Sequence, residues 1–261
     1  MKGNPSLDLQ RRHWSSQPGG RTYTMTVFCD FDGPIVDVSQ RYYSTYRQGL
    51  KRIEAIAQSQ RDGLELSALS QAQFWQMKRD RIADVEIARQ SGIAEQYIPR
   101  FLQEVKQIVN QTNLLHEDTL QPGVHWALSL LHSRGASLVL VTLRHQSQVK
   151  QILHNTGLAK FFTDIYGTRD RRAAYANHAQ QKTDLLAAAF ATHQPNGLPC
   201  WMVGDTEADI LAGQSLRIPT IGLTCGIRSA GYLQQFQPDQ IKTDLLTAAQ
   251  SILHYTQLVS A

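Results

Sequence analysis

The chain has 261 residues, enough for one large domain or a core domain carrying a smaller one, and 42% of them are hydrophobic, which is ordinary for a globular protein. Its formal charge is +4, but three of those four charges sit in residues 1–24, where Lys2, Arg11, Arg12 and Arg21 face only Asp8, so the remainder offers no basic surface of the kind nucleic-acid binders carry. No apolar run reaches the roughly 20 residues that span a bilayer, the first twenty residues lack a signal-peptide core, and the three scattered cysteines Cys29, Cys200 and Cys225 suit neither a disulfide framework nor a zinc site; a cytoplasmic protein without membrane or nucleic-acid partners is expected.

Residues 1–24 are polar, hold Asn4-Pro5 and Pro18-Gly19-Gly20, and read as a flexible tail. From Thr26 an unbroken apolar and β-branched run reads as a buried strand reaching Asp30, with Asp32 two residues on and Gly33-Pro34 stopping the strand. Residues 39–60 predict a helix on Tyr42, Tyr46, Leu50, Ile53 and Ala57. Residues 70–92 predict one or two helices with Phe74, Met77 and Ile82 inward, and residues 95–111 another. Eighty residues without a strand are too many for a loop, so residues 38–117 are expected to form a helical domain inserted between 25–37 and 118–261.

After Pro122-Gly123 the pattern alternates. A helix on Val124, Leu128 and Leu131 ends at Gly135, and Ser137 to Thr142 is a buried strand. Residues 146–156 are helical, Asp164 to Gly167 is a short strand, and a helix starts near Lys182. Cys200 to Asp205 is a strand reaching an acid, residues 206–215 are helical, Pro219 to Leu223 is expected to be the last core strand, and residues 242–258 close the chain as a helix. Such alternation predicts an α/β fold: a Rossmann-like, doubly wound parallel sheet with helices on both faces.

Asp30, Asp32, Thr142 and Asp205 then lie at strand ends on one edge of the sheet, where open α/β sheets bind ligands, and Lys182 can lie near the same edge. Crowded carboxylates repel one another, and a bound cation would relieve them; oxygen ligands suit Mg²⁺. A hydroxyl and an ammonium can hold an anionic substrate, and a carboxylate can accept a phosphoryl group. Taken singly, each residue has a plainer reading. The Asp-x-Asp pair could cap a helix, Thr142 could be a strand residue, Lys182 a solvated one, and Asp205 and Asp209 part of a turn and helix cap.

Together, Asp30-Phe31-Asp32-Gly33-Pro34-Ile35-Val36-Asp37, the strand ending in Thr142, Lys182-Thr183-Asp184, and Gly204-Asp205-Thr206-Glu207-Ala208-Asp209 resemble, in order, the four motifs of the haloacid dehalogenase superfamily, over about residues 25–255. The helical insert resembles the C1 cap, and the whole looks most like phosphoglycolate phosphatases. The resemblance implies a Mg²⁺-dependent phosphatase acting on a small phosphorylated metabolite, phosphoglycolate-like or a sugar phosphate. By the same resemblance Asp30 is the nucleophile and Asp32 the acid and base. Thr142, the Leu143 N–H and Lys182 hold the phosphoryl group. Asp30, the Asp32 carbonyl and Asp205 hold the metal, supported by Asp209. Dehalogenase members lack the second acid of the first motif, so Asp32 points to phosphatase or phosphomutase chemistry. Leu143 replaces a residue that is small or polar in many relatives, and Arg169, Arg171 and Arg172 make the segment before Lys182 unusually basic. Arg41, Arg47, Lys78 and Arg79 are candidates for gripping an acidic substrate. Lys51 is the one candidate for the Schiff-base lysine of phosphonate hydrolysis. A sugar-phosphate mutase and a non-catalytic binding protein are the alternatives, and the oligomeric state is open.

Overall fold

The computed structural model describes residues 23–170, 173–193 and 197–259. The first 22 residues of the tail expected over 1–24, and Arg171 and Arg172, lie outside the described residues. Thr24 does not belong to a loose tail: its N–H donates to the Gly135 carbonyl at 3.0 Å and its hydroxyl to the Arg134 carbonyl at 2.9 Å.

The strand β1 (Met25–Cys29) is buried along its whole length, as its run of Val27, Phe28 and Cys29 requires. After it, β2 (Val36–Asp37) leads into four helices, α1 (Ser39–Ser59), α2 (Gln71–Arg79), α3 (Asp84–Gln90) and α4 (Ile98–Ile108). The chain returns through β3 (Thr119–Leu120), which pairs antiparallel with β2, Val36 opposite Leu120. Then follow α5 (Val124–Ser133), β4 (Ala136–His145), α6 (Gln146–Asn155), β5 (Asp164–Thr168), α7 (Ala173–Ala176) and α8 (Ala179–His193). The last elements are β6 (Cys200–Gly204), α9 (Glu207–Ser215), β7 (Thr220–Leu223), α10 (Ala230–Gln234), β8 (Gln240–Lys242) and α11 (Leu245–Val259).

Six strands form one parallel sheet in the order β5-β4-β1-β6-β7-β8. β1 lies at the centre, Cys29 level with Leu140 on one side and Val203 on the other. Successive side chains serve opposite faces. Phe28, Val139, Val141 and Met202 pack with Leu186, Ala189 and Ala212 of α8 and α9. Val27, Leu138, Leu140 and Val203 pack with Leu128 and Leu131 of α5 and Ala248 and Ile252 of α11. Each such side chain, fully buried, contributes about 1.5–3 kcal/mol.

The insert has its own aromatic centre. Tyr46 of α1 stacks on Phe74 of α2 at 4.8 Å and meets Phe101 of α4 edge-on at 6.4 Å. The α1 stripe expected from periodicity, Tyr42, Tyr46, Leu50, Ile53 and Ala57, is buried throughout. Ile82 is not inward: it is 38% exposed. The chain leaves α2 at Arg79, and Arg81 takes a positive φ of 60°, so the helical period does not reach residue 82 and Lys78 is buried instead. The sheet does not end at β7, since β8 adds a parallel edge strand of three half-buried residues. Among the described residues, no helix is long and apolar enough to cross a membrane.

Candidate active site

β1 ends at Cys29, and the Asp30 N–H still donates to the Val203 carbonyl at 2.9 Å. The backbone then turns. Gly33 takes φ +93°, the Ile35 and Val36 N–H groups both donate to the Phe31 carbonyl, and the Gly33 N–H donates to the Val36 carbonyl. Asp30, in line with the strand, and Asp32, inside the turn, both line one cavity with Thr142, Leu143 and Asp205. Thr142 lies in β4, two residues past the level of Cys29, and its hydroxyl accepts the Arg144 N–H at 3.1 Å.

Asp30 Oδ1 accepts the Phe31 N–H at 2.7 Å and lies 2.9 Å from Lys182 Nζ. Lys182 sits in the first turn of α8, which starts three residues earlier than the sequence suggests, and its Nζ also lies 2.8 Å from Asp209 Oδ1. Asp209 is brought there by a helix cap. Its Oδ2 accepts the Thr206 N–H at 3.0 Å and the Thr206 hydroxyl at 2.8 Å, closing a capping box at the start of α9. Asp205 precedes that helix, so a shared helix face is not what relates the two acids.

The electrostatics are those of buried acids in excess. Burial pushes Asp30 up to about 7, Lys182 opposes the push and Asp209 adds to it. Burial, then Asp30 and Asp209, carry Asp205 well above the ordinary carboxylate range. Burial disfavours the Lys182 ammonium, but Asp209 and Asp30 outweigh it and raise its pKa. Asp205 Oδ2 accepts the Ile227 N–H at 2.6 Å, whereas its Oδ1 is buried without a hydrogen-bond partner. Oxygens of Asp30, Asp205 and Asp209 lie within 4.8 Å of one another. A crowded all-oxygen set with an orphaned carboxylate oxygen fits a hard divalent cation.

Asp32 has a different environment. Its Oδ1 lies 2.7 Å from Arg144 and its Oδ2 3.3 Å from Arg41. Burial alone would raise its pKa, but Arg144 and then Arg41 hold it below the ordinary carboxylate range. Arg41 was expected to grip substrate. It is instead 1% exposed and spent on Asp32, Asp118 and the Val109 carbonyl, because it sits in the first turn of α1, under the insert.

Arg47 is exposed, its guanidinium beside the Tyr43 ring, and does not line the cavity. Arg79 donates to the Thr224 carbonyl at 3.1 Å and joins the insert to the core. Lys51 and Arg169 are exposed and are likewise absent from the cavity wall. Of the four cap candidates only Lys78 lines it, buried against Tyr175 and Tyr42 and paired with Asp84 at 2.8 Å. Sequence reasoning missed Arg81, Arg144, Arg228, Tyr42 and Tyr175 as lining residues. A signal for Arg144 existed: a lone cation continuing an apolar strand run.

A family model described as haloacid dehalogenase-like hydrolase matches residues 24–217. The phosphoglycolate phosphatase of Vibrio cholerae is 30% identical over 136 residues, 51% of this chain and 57% of that protein. Pyrophosphatase PpaX of Oceanobacillus iheyensis is 29% identical over 127 residues, 49% of this chain and 57% of its own. The chain thus spans little more than half the length of these two relatives. A haloacid dehalogenase-like hydrolase of Streptococcus pneumoniae has the same fold, with a TM-score of 0.63 at 22% identity over 87% of this chain and 97% of that one.

Proposed function

The chain belongs to the haloacid dehalogenase-like hydrolase family, and from that premise we propose that it is a Mg²⁺-dependent phosphatase of a small phosphate monoester, phosphoglycolate-like or a sugar phosphate. One observation carries the reading: the Asp30 carboxylate stands at the end of the central strand with one oxygen fixed by Lys182 and the Phe31 N–H. That leaves Oδ2 to attack phosphorus. The Asp30–phosphorus bond forms as the ester oxygen departs with its electron pair, and Asp32, kept ionised by Arg144 and Arg41, takes the proton of the monoanionic ester and passes it to that oxygen. Water then attacks the aspartyl-phosphate, Asp32 takes its proton, and Asp30 is released. Lys182, Thr142 and the Leu143 N–H hold the phosphoryl oxygens, and most of the rate comes from such positioning.

Asp30, Asp205 and the Asp32 carbonyl would hold Mg²⁺, with Asp209 supporting them. Bound there, the ion would neutralise the buried acids and the phosphoryl oxygens. The insert carries Lys78, Tyr42 and Arg81 over the cavity and would exclude bulk water and select the leaving group.

The test is phosphate release from a panel of small esters, with Mg²⁺ or chelator, for the native chain and Asp30→Asn. Metal-dependent release lost in Asp30→Asn is expected. Absence of release from every ester by folded, Mg²⁺-loaded protein would overturn the reading. Turnover only with a bisphosphate activator would favour a mutase.

A further inference from the structure

Asp32 does not meet its two arginines separately. Arg144 bridges Asp32 Oδ1 at 2.7 Å and Asp118 Oδ2 at 2.6 Å, and Arg41 bridges Asp32 Oδ2 at 3.3 Å and Asp118 Oδ1 at 2.7 Å. The two oxygens of each carboxylate meet different guanidinium groups, so two acids and two arginines close a neutral ring. The side chains of Arg41, Arg144 and Asp118 are each 1% exposed, whereas that of Asp32 is 18% exposed. Asp32 and Arg144 line the cavity; Arg41 and Asp118 do not.

The four residues come from four places. Asp32 is in the turn after β1, Arg144 is in β4, Arg41 is in the first turn of α1, and Asp118 immediately precedes β3. The strands β2 and β3, through which the chain enters and leaves the insert, pair with each other just before Arg41 and just after Asp118 in the chain. Arg41 also donates to the Val109 carbonyl at 2.9 Å and to Asn110 Oδ1 at 3.0 Å, beyond the end of α4. The ring therefore fastens both ends of the insert to one core strand through the Asp32 carboxylate.

We propose that Arg144, Asp118 and Arg41 are positioning residues that fix the Asp32 carboxylate for proton transfer and make its aim depend on how the insert is seated. This rests on the reading of Asp32 as the group that protonates the leaving oxygen. The guanidinium fork is the essential feature, because two nitrogens of one rigid plane fix the angle between the two carboxylates, which the single nitrogen of a lysine does not.

Leaving-group dependence isolates the effect. A p-nitrophenolate departs without a proton, whereas an alkoxide needs one. Arg144→Lys keeps the ring's charge balance, which protects the fold from an uncompensated buried charge. It is expected to lower the pre-steady-state rate of alcohol release from an alkyl phosphate by at least about tenfold and to change that of p-nitrophenolate release from p-nitrophenyl phosphate by less than about threefold, both releases preceding the water attack in which Asp32 is the base for either ester. Arg41→Lys, on the insert and away from the cavity, and Asp118→Asn are expected to show the same split, each checked for native circular dichroism. Equal losses on both esters, or native rates on both, would overturn the inference. Release from neither ester by the native protein would remove the phosphatase reading, and this inference with it.

Discussion

A Cβ at Gly33 would lie 2.1 Å from the carboxyl carbon of Asp205. The turn within the first motif and the acid of the fourth are thus packed backbone against carboxylate. Gly226 closes the other side, where a Cβ would fall 1.9 Å from Asp205 Oδ2. Gly33 also has φ +93°, a region side chains rarely adopt. Gly33→Ala is therefore expected to push Asp205 aside and to twist the turn that aims Asp32. Phosphate release should fall by at least about 100-fold, since misplacement of about 1 Å can cost that much. Steady-state kinetics beside circular dichroism checks this, and a native rate from the folded variant would refute it.

Without a cation the crowded acids make stability depend on pH in a definite direction. Asp30 titrates at about 7 in the fold, against 3.8 for the ordinary group. The folded state thus holds a proton that the unfolded state has released, so this group's contribution is fully present below about pH 4 and is lost as pH rises through about 7. Chelator-treated protein should show a falling urea midpoint between pH 5 and 7.5. Mg²⁺ should flatten that fall, because it binds the deprotonated carboxylates. An unchanged slope with and without Mg²⁺ would show that no cation binds among these acids.

Ligand linkage gives a second test of the same oxygens. An ion that binds only the folded state stabilises it by about 2.7 kcal/mol at a hundred times its Kd. Mg²⁺ should therefore raise the Tm of the native chain. Asp205→Asn removes a carboxylate that has an orphaned oxygen, and should itself tolerate folding while abolishing the Mg²⁺-dependent shift. An intact shift in Asp205→Asn would move the metal elsewhere.

How much of this was legible in the sequence depended on whether the signal was local. Asp30 and Asp32 could be read because a β-branched run and Gly33-Pro34 bracket them. Asp205 and Asp209 could be read because a strand and a helix cap adjoin between Cys200 and Asp209. The sheet followed from alternation, although β8 did not, its three half-buried residues giving no period to detect. The ring was out of reach. Arg41 and Asp118 are 77 residues apart, and periodicity gives no account of which distant charges meet. Arg41 and Lys78 therefore stand in the sequence only as candidates for gripping substrate, yet both are buried because α1 and α2 turn those faces towards the core.

The cavity wall opposite Asp30 bears on substrate choice. Lys78, Arg81 and Arg228 line it, while their counter-ions Asp84 and Glu207 do not. Three cations thus face the cavity against two carboxylates set behind them. Val38, Tyr42 and Tyr175 supply the apolar remainder of the wall. A leaving group that carries a second anionic group suits this wall better than a neutral one. Arg81 is the informative position, because its side chain is 42% exposed and its loss leaves Glu207 paired with Arg228 at 2.8 Å. Arg81→Gln is expected to raise KM about tenfold for phosphoglycolate-like esters, equivalent to about 1.4 kcal/mol, and to leave KM for p-nitrophenyl phosphate within about twofold. Because the residue binds the substrate's distal end in ground and transition states alike, kcat should hardly move. Michaelis curves on the two esters decide the matter. Equal KM changes on both would show that Arg81 acts on the insert's seat and not on the leaving group.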